Sequence, residues 1–301
     1  MNQTTDVETE NRESDILQEQ EEDRFLGDVI HAFLQNKLAI IGLVLVLFLI
    51  VIAVFAPVVT RHDPYTVNLD EQLLAPSAKY WFGTDNFGRD LLTRIIYGTR
   101  ISLVIGLIPS FISIVMGAIL GIISGYCGGK TDFVIMRLAD VMIAFPSLLL
   151  AMVVMYTLGA SLFNIFIALS LVGWAGTARV VRSQTLSLKE KEFIEASVAI
   201  GVKKRVIMVK HILPNCLPVL IVLFSLGIPE AIMYESSLSF LGVGAQPPTP
   251  SWGLLVATGK KYLFSAPWVA IMPGVAILIT VLAFNFLGDG LRDALDPYMK
   301  D

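Results

Sequence analysis

The sequence predicts an all-α integral membrane protein with six transmembrane helices, and three observations carry that prediction. The chain of 301 residues is 55% hydrophobic and 16% charged, whereas soluble domains carry about 25% charged residues. Its mean hydropathy is +0.70. Charged residues are also absent from long stretches, and one uncompensated charge at the bilayer centre would cost at least about 2.5 kcal/mol. Most of the chain is therefore expected to lie in lipid.

The uncharged runs predict where each helix lies, because a spanning helix needs about 20 apolar residues. The longest run, Val141 to Ala178, has 38 residues and would measure about 57 Å as one helix, far more than the hydrocarbon core. It is therefore predicted to turn back near Thr157 to Asn164 and to form two helices. The other predicted spans are Leu38 to Thr60, Ile101 to Gly129, His211 to Pro229 with an extension towards Tyr234, and Tyr262 to Gly288.

Basic residues predict the orientation, since segments rich in Lys and Arg stay in the cytoplasm. With a cytoplasmic N-terminus, 15 of the 22 Lys and Arg residues lie in cytoplasmic segments and 7 in outer segments. Eight of the 15 fall between Arg179 and Lys210. Both termini are therefore expected in the cytoplasm.

Charge and periodicity divide the chain into three parts. Residues 1–22 are acidic without apolar periodicity and are predicted to form a disordered cytoplasmic tail. Residues 23–97 are expected to hold an interfacial helix, the first span and an extracytoplasmic loop. Residues 98–301 are expected to form a core of five spans with a cytoplasmic loop at 179–214. The interfacial helix has one apolar face, which fits either the inner membrane surface or packing on the protein itself.

The composition excludes several function classes. Two cysteines argue against a disulfide scaffold, and the chain lacks the concentrated basic face of a nucleic-acid binder. The three histidines have no metal-ligand spacing, and no HExxH or GxSxG motif is present. Lys130-Thr131 does not complete a phosphate-binding loop, because Ser124 stands where that motif needs glycine. We therefore expect no enzymatic activity and no metal, ATP or other cofactor bound by this chain.

The segment from Arg179 to Lys210 is too long for a simple connection between helices, and long loops are usually functional. Ser187 and Glu190 have the spacing of a capping box, which predicts a helix that runs to Ile200 before Gly201 interrupts it. A second helical stretch is expected at 202–212. Small apolar residues on an exposed helix indicate a surface that a partner's groove receives.

Glu195-Ala196-Ser197, followed by Gly201 and by Leu213-Pro214, resembles the EAA loop of permease subunits in binding-protein-dependent ABC importers. Two positions depart from the family pattern: it often has Ile where this chain has His211, and Ala where it has Ser197.

The resemblance implies a type I ABC importer permease fold, with a coupling helix that docks into the ATP-binding subunit. The coupling residues it implies are Glu195, Ala196, Ser197, Ala199, Gly201, Leu213 and Pro214. The alternative is a basic amphipathic loop that only lies on the bilayer.

Three further segments are similar to the C-type subunit of dipeptide and oligopeptide importers. They are residues 82–103 before the second span, 238–253 between the fifth and sixth spans, and 284–297 near the C-terminus. Nickel permeases share these motifs, so a nickel or other small-solute permease stays open beside a peptide permease.

The family resemblance also implies the partners and the location. It implies a heterodimer with a homologous permease subunit, two ATP-binding subunits that hold ATP and Mg, an extracytoplasmic substrate-binding protein and a peptide substrate. It places the chain among the lipids of a prokaryotic cytoplasmic membrane as a multi-pass protein. An ion-coupled secondary transporter is the alternative from a different class, but the long basic loop has no role in that scheme.

Two acidic residues of the fifth predicted span, Glu230 and Glu235, fall in the outer half of the membrane and are candidates for the transport pathway. For Glu235 the alternative is a residue at the helix end that reaches the interface.

Three glycines of the second span, Gly117, Gly121 and Gly125, share one helix face. Glycines at this spacing let another helix approach closely in lipid. A helix of the same chain is favoured over a subunit interface, and both stay open.

Overall fold

The computed structural model describes residues 27–295. The predicted acidic tail at 1–22, the start of the predicted interfacial helix and the last residues of the chain lie outside the described residues. In the described part the chain is helical, and its one β-type contact is an isolated bridge between Thr84 and Asp90. The prediction of an all-α protein is confirmed.

The helices follow one another in chain order with mostly short connections. They are α1 at 27–35, α2 Lys37–Val59, α3 Leu91–Cys127, α4 Gly129–Ala144, α5 Ser147–Leu158, α6 Leu162–Lys189, α7 Glu192–Ala199, α8 Lys204–Ile207, α9 Leu213–Phe240, α10 Trp252–Gly259 and α11 Trp268–Leu295.

Between residues 27 and 295, five helices are long and apolar enough to cross a membrane, and α4 with α5 makes a sixth if this bent pair is one span. The five are α2, α3, α6, α11 and the continuous helix Lys204–Phe240. That helix of 37 residues joins α8 to α9 through a π-helical turn, Met208–Ile212. Pro214 has no N–H to donate into a regular turn, which accounts for the wider turn just before it.

The predicted reversal within the long uncharged run is confirmed. α5 ends at Leu158 and α6 begins at Leu162. Asn164 closes the turn, because its side-chain nitrogen lies 2.8 Å from the carbonyl oxygens of both Leu158 and Gly159.

A second break in this run was not predicted. Phe145 is extended, with ψ 140°, and the chain bends by 93° between α4 and α5. Pro146 explains the break, since proline disfavours helical backbone in the residue before it and lacks the N–H that would continue the helix.

α3 begins at Leu91 rather than at the predicted Ile101. The charge of Arg94 is accommodated inside the protein, where its side chain is 3% exposed. Its guanidinium donates to the carbonyl oxygen of Pro64 at 3.0 Å and lies 3.4 Å from the carboxylate of Asp85. Because these partners accept its hydrogen bond and balance its charge, Arg94 does not end the helix. The prediction began α3 too late because a hydropathy profile counts the charge of Arg94 but not its partners.

The predicted capping box is wrong. α6 continues to Lys189 and so contains Ser187, while α7 begins after Lys191, whose side chain makes no capping hydrogen bond. The last turn of α6 is held against α3, where the Lys189 ammonium donates to the carbonyl oxygen of Tyr126 at 3.2 Å. This contact extends α6 past the predicted start of the next helix.

The three glycines of α3 contact α6 of the same chain. A Cβ added to Gly117 would lie 2.5 Å from Cβ of Thr177, and one added to Gly121 would lie 2.6 Å from the carbonyl oxygen of Ala178. At Gly125 an added Cβ would come within 2.8 Å of Thr185. The two backbones are therefore closer than any side chain on this face of α3 would allow.

The connection from α2 to α3 is organised around Glu71. Its carboxylate accepts hydrogen bonds from Lys79, from the hydroxyl of Tyr80 at 2.6 Å and from the side chain of Asn68 at 2.7 Å. The hydrogen bond from Lys79, followed by that from Tyr80, holds the pKa of Glu71 below its ordinary value.

The predicted interfacial helix is described from residue 27 onward, and its contacts are mixed. Ile30 and Leu34 are 58% and 56% exposed. The ring of Phe33 instead reaches α11, where it lies 3.4 Å from an ideal Cβ on Gly290. Within α1 one apolar residue thus packs on the protein while two others face outward.

Candidate functional site

The helix α7 lies across the ends of three longer helices and is fixed there by one side chain. Ile194 is 1% exposed and belongs to an apolar cluster built from α3, α6 and the helix 204–240. We call this cluster the Ile194 cluster, and its buried members are Ala118, Ile122, Tyr126, Val181, Ile194, Ile207, Ile212, Cys216 and Leu220. Any displacement of α7 must therefore push on these three helices.

The rest of the α7 surface is open. Glu195, Ala196 and Ala199 are exposed and Ser197 is partly buried. Beside them Val198 is 55% exposed and Ile200 is 80% exposed. These exposed apolar side chains lie next to small residues, on a helix that Ile194 anchors to the longer helices. Such a surface is suited to insertion into a groove of another protein.

Gly201 ends α7 in a Schellman motif. The N–H of Val202 donates to the carbonyl oxygen of Ser197 at 3.1 Å, and that of Gly201 donates to Val198 at 3.0 Å. Gly201 has φ +80°, in the left-handed region that residues other than glycine rarely adopt. No other group lies within 4 Å of an added Cβ, so its requirement for glycine comes from the backbone angle.

Leu213 and Pro214 lie apart from α7, in the first turn of α9. Leu213 packs against the Ile194 cluster, whereas Pro214 is exposed. Asn215 stabilises the turn by donating from its side chain to the carbonyl oxygen of His211 at 2.6 Å. Of the predicted coupling residues, five are thus together on α7 and its cap, and Leu213 joins them through the shared cluster.

A cavity of about 300 Å³ lies between α3, α6, α9 and the break between α4 and α5. The polar residues that line it are Ser110, Ser113, Ser147, Thr177, Glu230 and Tyr234. Open backbone at a helix break is tolerated in a membrane protein where it faces such a cavity. The carboxylate of Glu230 faces the cavity beside the Tyr234 hydroxyl.

Glu235 neither reaches the interface nor lines the cavity, which corrects both interpretations of this residue. Its side chain is completely buried, and one carboxylate oxygen accepts hydrogen bonds from Ser239 at 2.7 Å and Ser251 at 2.9 Å. Ser251 also caps α10 by accepting from the N–H of Leu254. Glu235 therefore fastens α10 and the preceding loop to α9.

Sequence reasoning missed three residues that matter here. Ile194 carries no pattern that separates it from the other apolar residues of α7. Ser147 reaches the cavity where Pro146 bends the chain, so the proline was the available signal for this residue. Tyr234 lines the cavity from α9, one helical turn after Glu230. Between residues 27 and 295 no group of three or more His, Cys, Asp or Glu side chains is placed to hold a metal ion.

Comparison with known families gives two matches. The family described as binding-protein-dependent transport system inner membrane component matches residues 117–301. The N-terminal transmembrane domain of oligopeptide transport permease C matches residues 24–76.

Individual relatives match over nearly the whole chain. The dipeptide transport system permease protein DppC of Alkalihalophilus pseudofirmus is 47% identical, over 88% of each chain. The oligopeptide transport system permease protein OppC of Bacillus subtilis is 42% identical, over 91% of this chain and 90% of its own.

A solved structure shares the fold. A chain from inward-facing conformations of the MetNI methionine ABC transporter superposes with a TM-score of 0.54 at 21% sequence identity. The match covers 68% of this chain and 96% of that one.

Proposed function

The chain belongs to the family of binding-protein-dependent inner-membrane transport components, and on that premise we propose that it is a permease subunit of an ATP-driven importer of dipeptides or oligopeptides. The exposed face of α7, fixed to the transmembrane helices by Ile194, is the observation that carries this proposal. The names of the relatives, which transport dipeptides and oligopeptides, support the substrate class.

In this proposal the chain supplies movement and a path rather than chemistry. Two partner ATP-binding subunits hold ATP and Mg, and their closure displaces α7. Because Ile194 packs in a cluster shared by α3, α6 and the helix 204–240, that displacement tilts the helices that surround the cavity. The cavity is then exposed alternately to the two sides of the membrane.

The remaining partners follow from the same proposal. A homologous permease subunit completes the path, and an extracytoplasmic binding protein delivers the peptide. The face of α7 lies in the cytoplasm with both chain termini, which agrees with the excess of basic residues in the connecting segment.

The docking role of α7 can be tested at Ile200. The substitution Ile200→Ser is expected to reduce co-purification of the ATP-binding subunits and peptide uptake by about tenfold or more, because burying an isoleucine side chain contributes about 1.5 to 3 kcal/mol. The measurements are subunit yield after mild detergent extraction and ATP-dependent uptake in vesicles.

Ile200 is the C-cap of α7. The matched control is Val209→Ser, at a residue that is 61% exposed but lies on the helix 204–240 rather than on α7 or its cap. It is expected to leave both quantities near those of the unmodified protein. Equal effects of the two substitutions, or normal uptake after Ile200→Ser, would contradict a docking surface on α7.

The cap at Gly201 gives a second test. Gly201→Val is expected to abolish peptide-stimulated ATP hydrolysis while the chain still inserts in the membrane, because a β-branched residue is strongly disfavoured at positive φ. Gly201→Asn should retain most of the stimulation, since asparagine tolerates the left-handed region. If both variants behave alike, the backbone angle at Gly201 is not what couples α7 to transport.

A further inference from the structure

The cavity between the spanning helices carries a single formal charge. Of the residues that line it, all within the described range, Glu230 alone is Asp, Glu, Lys, Arg or His. None of the ion pairs found between residues 27 and 295 involves Glu230. Its side chain is exposed to the cavity rather than packed away. The cavity is therefore negative and has no cation of its own to balance it.

Two arginines of α6 are paired with carboxylates of α4, and Arg137 of α4 lies over the ring of Phe133. Asp140 of α4 pairs with Arg179 of α6 at 2.7 Å, and Asp132 pairs with Arg182 at 2.5 Å. Each of these pairs is neutral as a unit. A carboxylate among apolar helices attracts a cation more strongly than it would in water, because the local dielectric constant is low.

The other groups around Glu230 favour an organic ammonium over a metal ion. The Tyr234 hydroxyl interacts with both Glu230 and the hydroxyl of Ser147, and all three residues line the cavity. A primary ammonium has three N–H donors to share among one carboxylate and such oxygens. A metal ion would need several strong ligands, and the described residues offer no cluster of them.

Resting on the proposed function, we propose that Glu230 binds the α-ammonium group of the transported peptide, with the hydroxyls of Tyr234 and Ser147 as further acceptors. The cavity of about 300 Å³ admits the first residues of a short peptide. Gly176 lines the cavity, and no atom lies within 4 Å of a Cβ added there, so a large side chain at this position would extend into the free space.

The test compares two peptides that differ only in the amine. The complete transporter, with its binding protein and ATP-binding subunits, is reconstituted in vesicles, and uptake of trialanine is measured against propionyl-dialanine, in which hydrogen replaces the amino group. The preference for trialanine is expected to fall about tenfold in Glu230→Gln, the effect of losing one charge-assisted hydrogen bond. The same binding protein serves both forms of the permease, so its own preference cancels.

Two further variants complete the test. Glu230→Asp keeps the charge and is expected to keep most of the preference. Gly176→Leu fills the cavity and is expected to reduce uptake of both peptides while the chain still accumulates in the membrane. An unchanged preference in Glu230→Gln, an equal loss of both peptides in that variant, or normal uptake in Gly176→Leu would each overturn the proposal.

Failure of the proposed function gives a different result. In that case the unmodified transporter takes up neither peptide with ATP, or takes up solute on a proton gradient without the ATP-binding subunits. Either result removes the peptide as ligand of Glu230 and overturns this inference together with its premise.

Discussion

Replacing Gly121 by valine is expected to prevent stable folding of the chain. An added Cβ would lie 2.6 Å from the carbonyl oxygen of Ala178 and 2.8 Å from Cβ of Val181. The backbone of α6 cannot rotate away as a side chain could, so α3 and α6 must separate along their contact. The cost is expected at the upper end of the range for overpacking, about 3 kcal/mol or more. The measurement is the amount of protein in the membrane and its melting temperature in detergent.

Gly274→Val is the matched control for this prediction. Gly274 also lies within a spanning helix, α11, but no atom lies within 4 Å of a Cβ added there. This variant should accumulate and melt like the unmodified protein. Similar losses for both variants would mean that valine in a spanning helix, rather than the contact between α3 and α6, is responsible.

Replacing Glu235 by alanine is expected to release α10 and the loop before it. The hydroxyls of Ser239 and Ser251 would lose their common acceptor in a buried site, and each unsatisfied buried group costs about 1 to 3 kcal/mol. Glu235→Gln keeps one acceptor oxygen and should lose much less. Proteolysis of the 241–251 loop in intact vesicles measures the release, and the melting temperature measures the total cost.

Glu230→Gln is the control on the same helix. Glu230 is exposed to the cavity, so its replacement should leave both proteolysis and melting temperature unchanged while it alters peptide preference. If Glu230→Gln destabilises the protein as much as Glu235→Ala, the assignment of a fastening role to one glutamate and a binding role to the other is wrong.

The positions of the spans were predictable because lipid excludes bare charge, and uncharged runs of sufficient length are easily recognised. The reversal between α5 and α6 followed from length alone. The early start of α3 did not, because Arg94 lies beside the carboxylate of Asp85 and donates to the carbonyl oxygen of Pro64, and both partners come from an earlier part of the chain. A hydropathy profile contains no information on such partners.

The candidate site likewise contains some residues that the sequence identified and others whose surroundings it could not predict. The segment around Glu195 was found because its residues are consecutive and match a family pattern. The different environments of Glu230 and Glu235 were not predictable, although the two residues stand five positions apart on one helix. Ser251 lies 16 residues beyond Glu235, and only the fold brings it back to bury that carboxylate.

The continuous helix 204–240 connects the Ile194 cluster to the far end of the protein. Its 37 residues correspond to about 55 Å, and it touches the Ile194 cluster at one end, the cavity further along and α10 at the other. A continuous helix that pivots near its middle moves its two ends in opposite directions. In the proposed function, pressure on α7 that spreads the helices on one side of the membrane would therefore draw them together on the other, so that a single movement opens one mouth of the path and closes the opposite one.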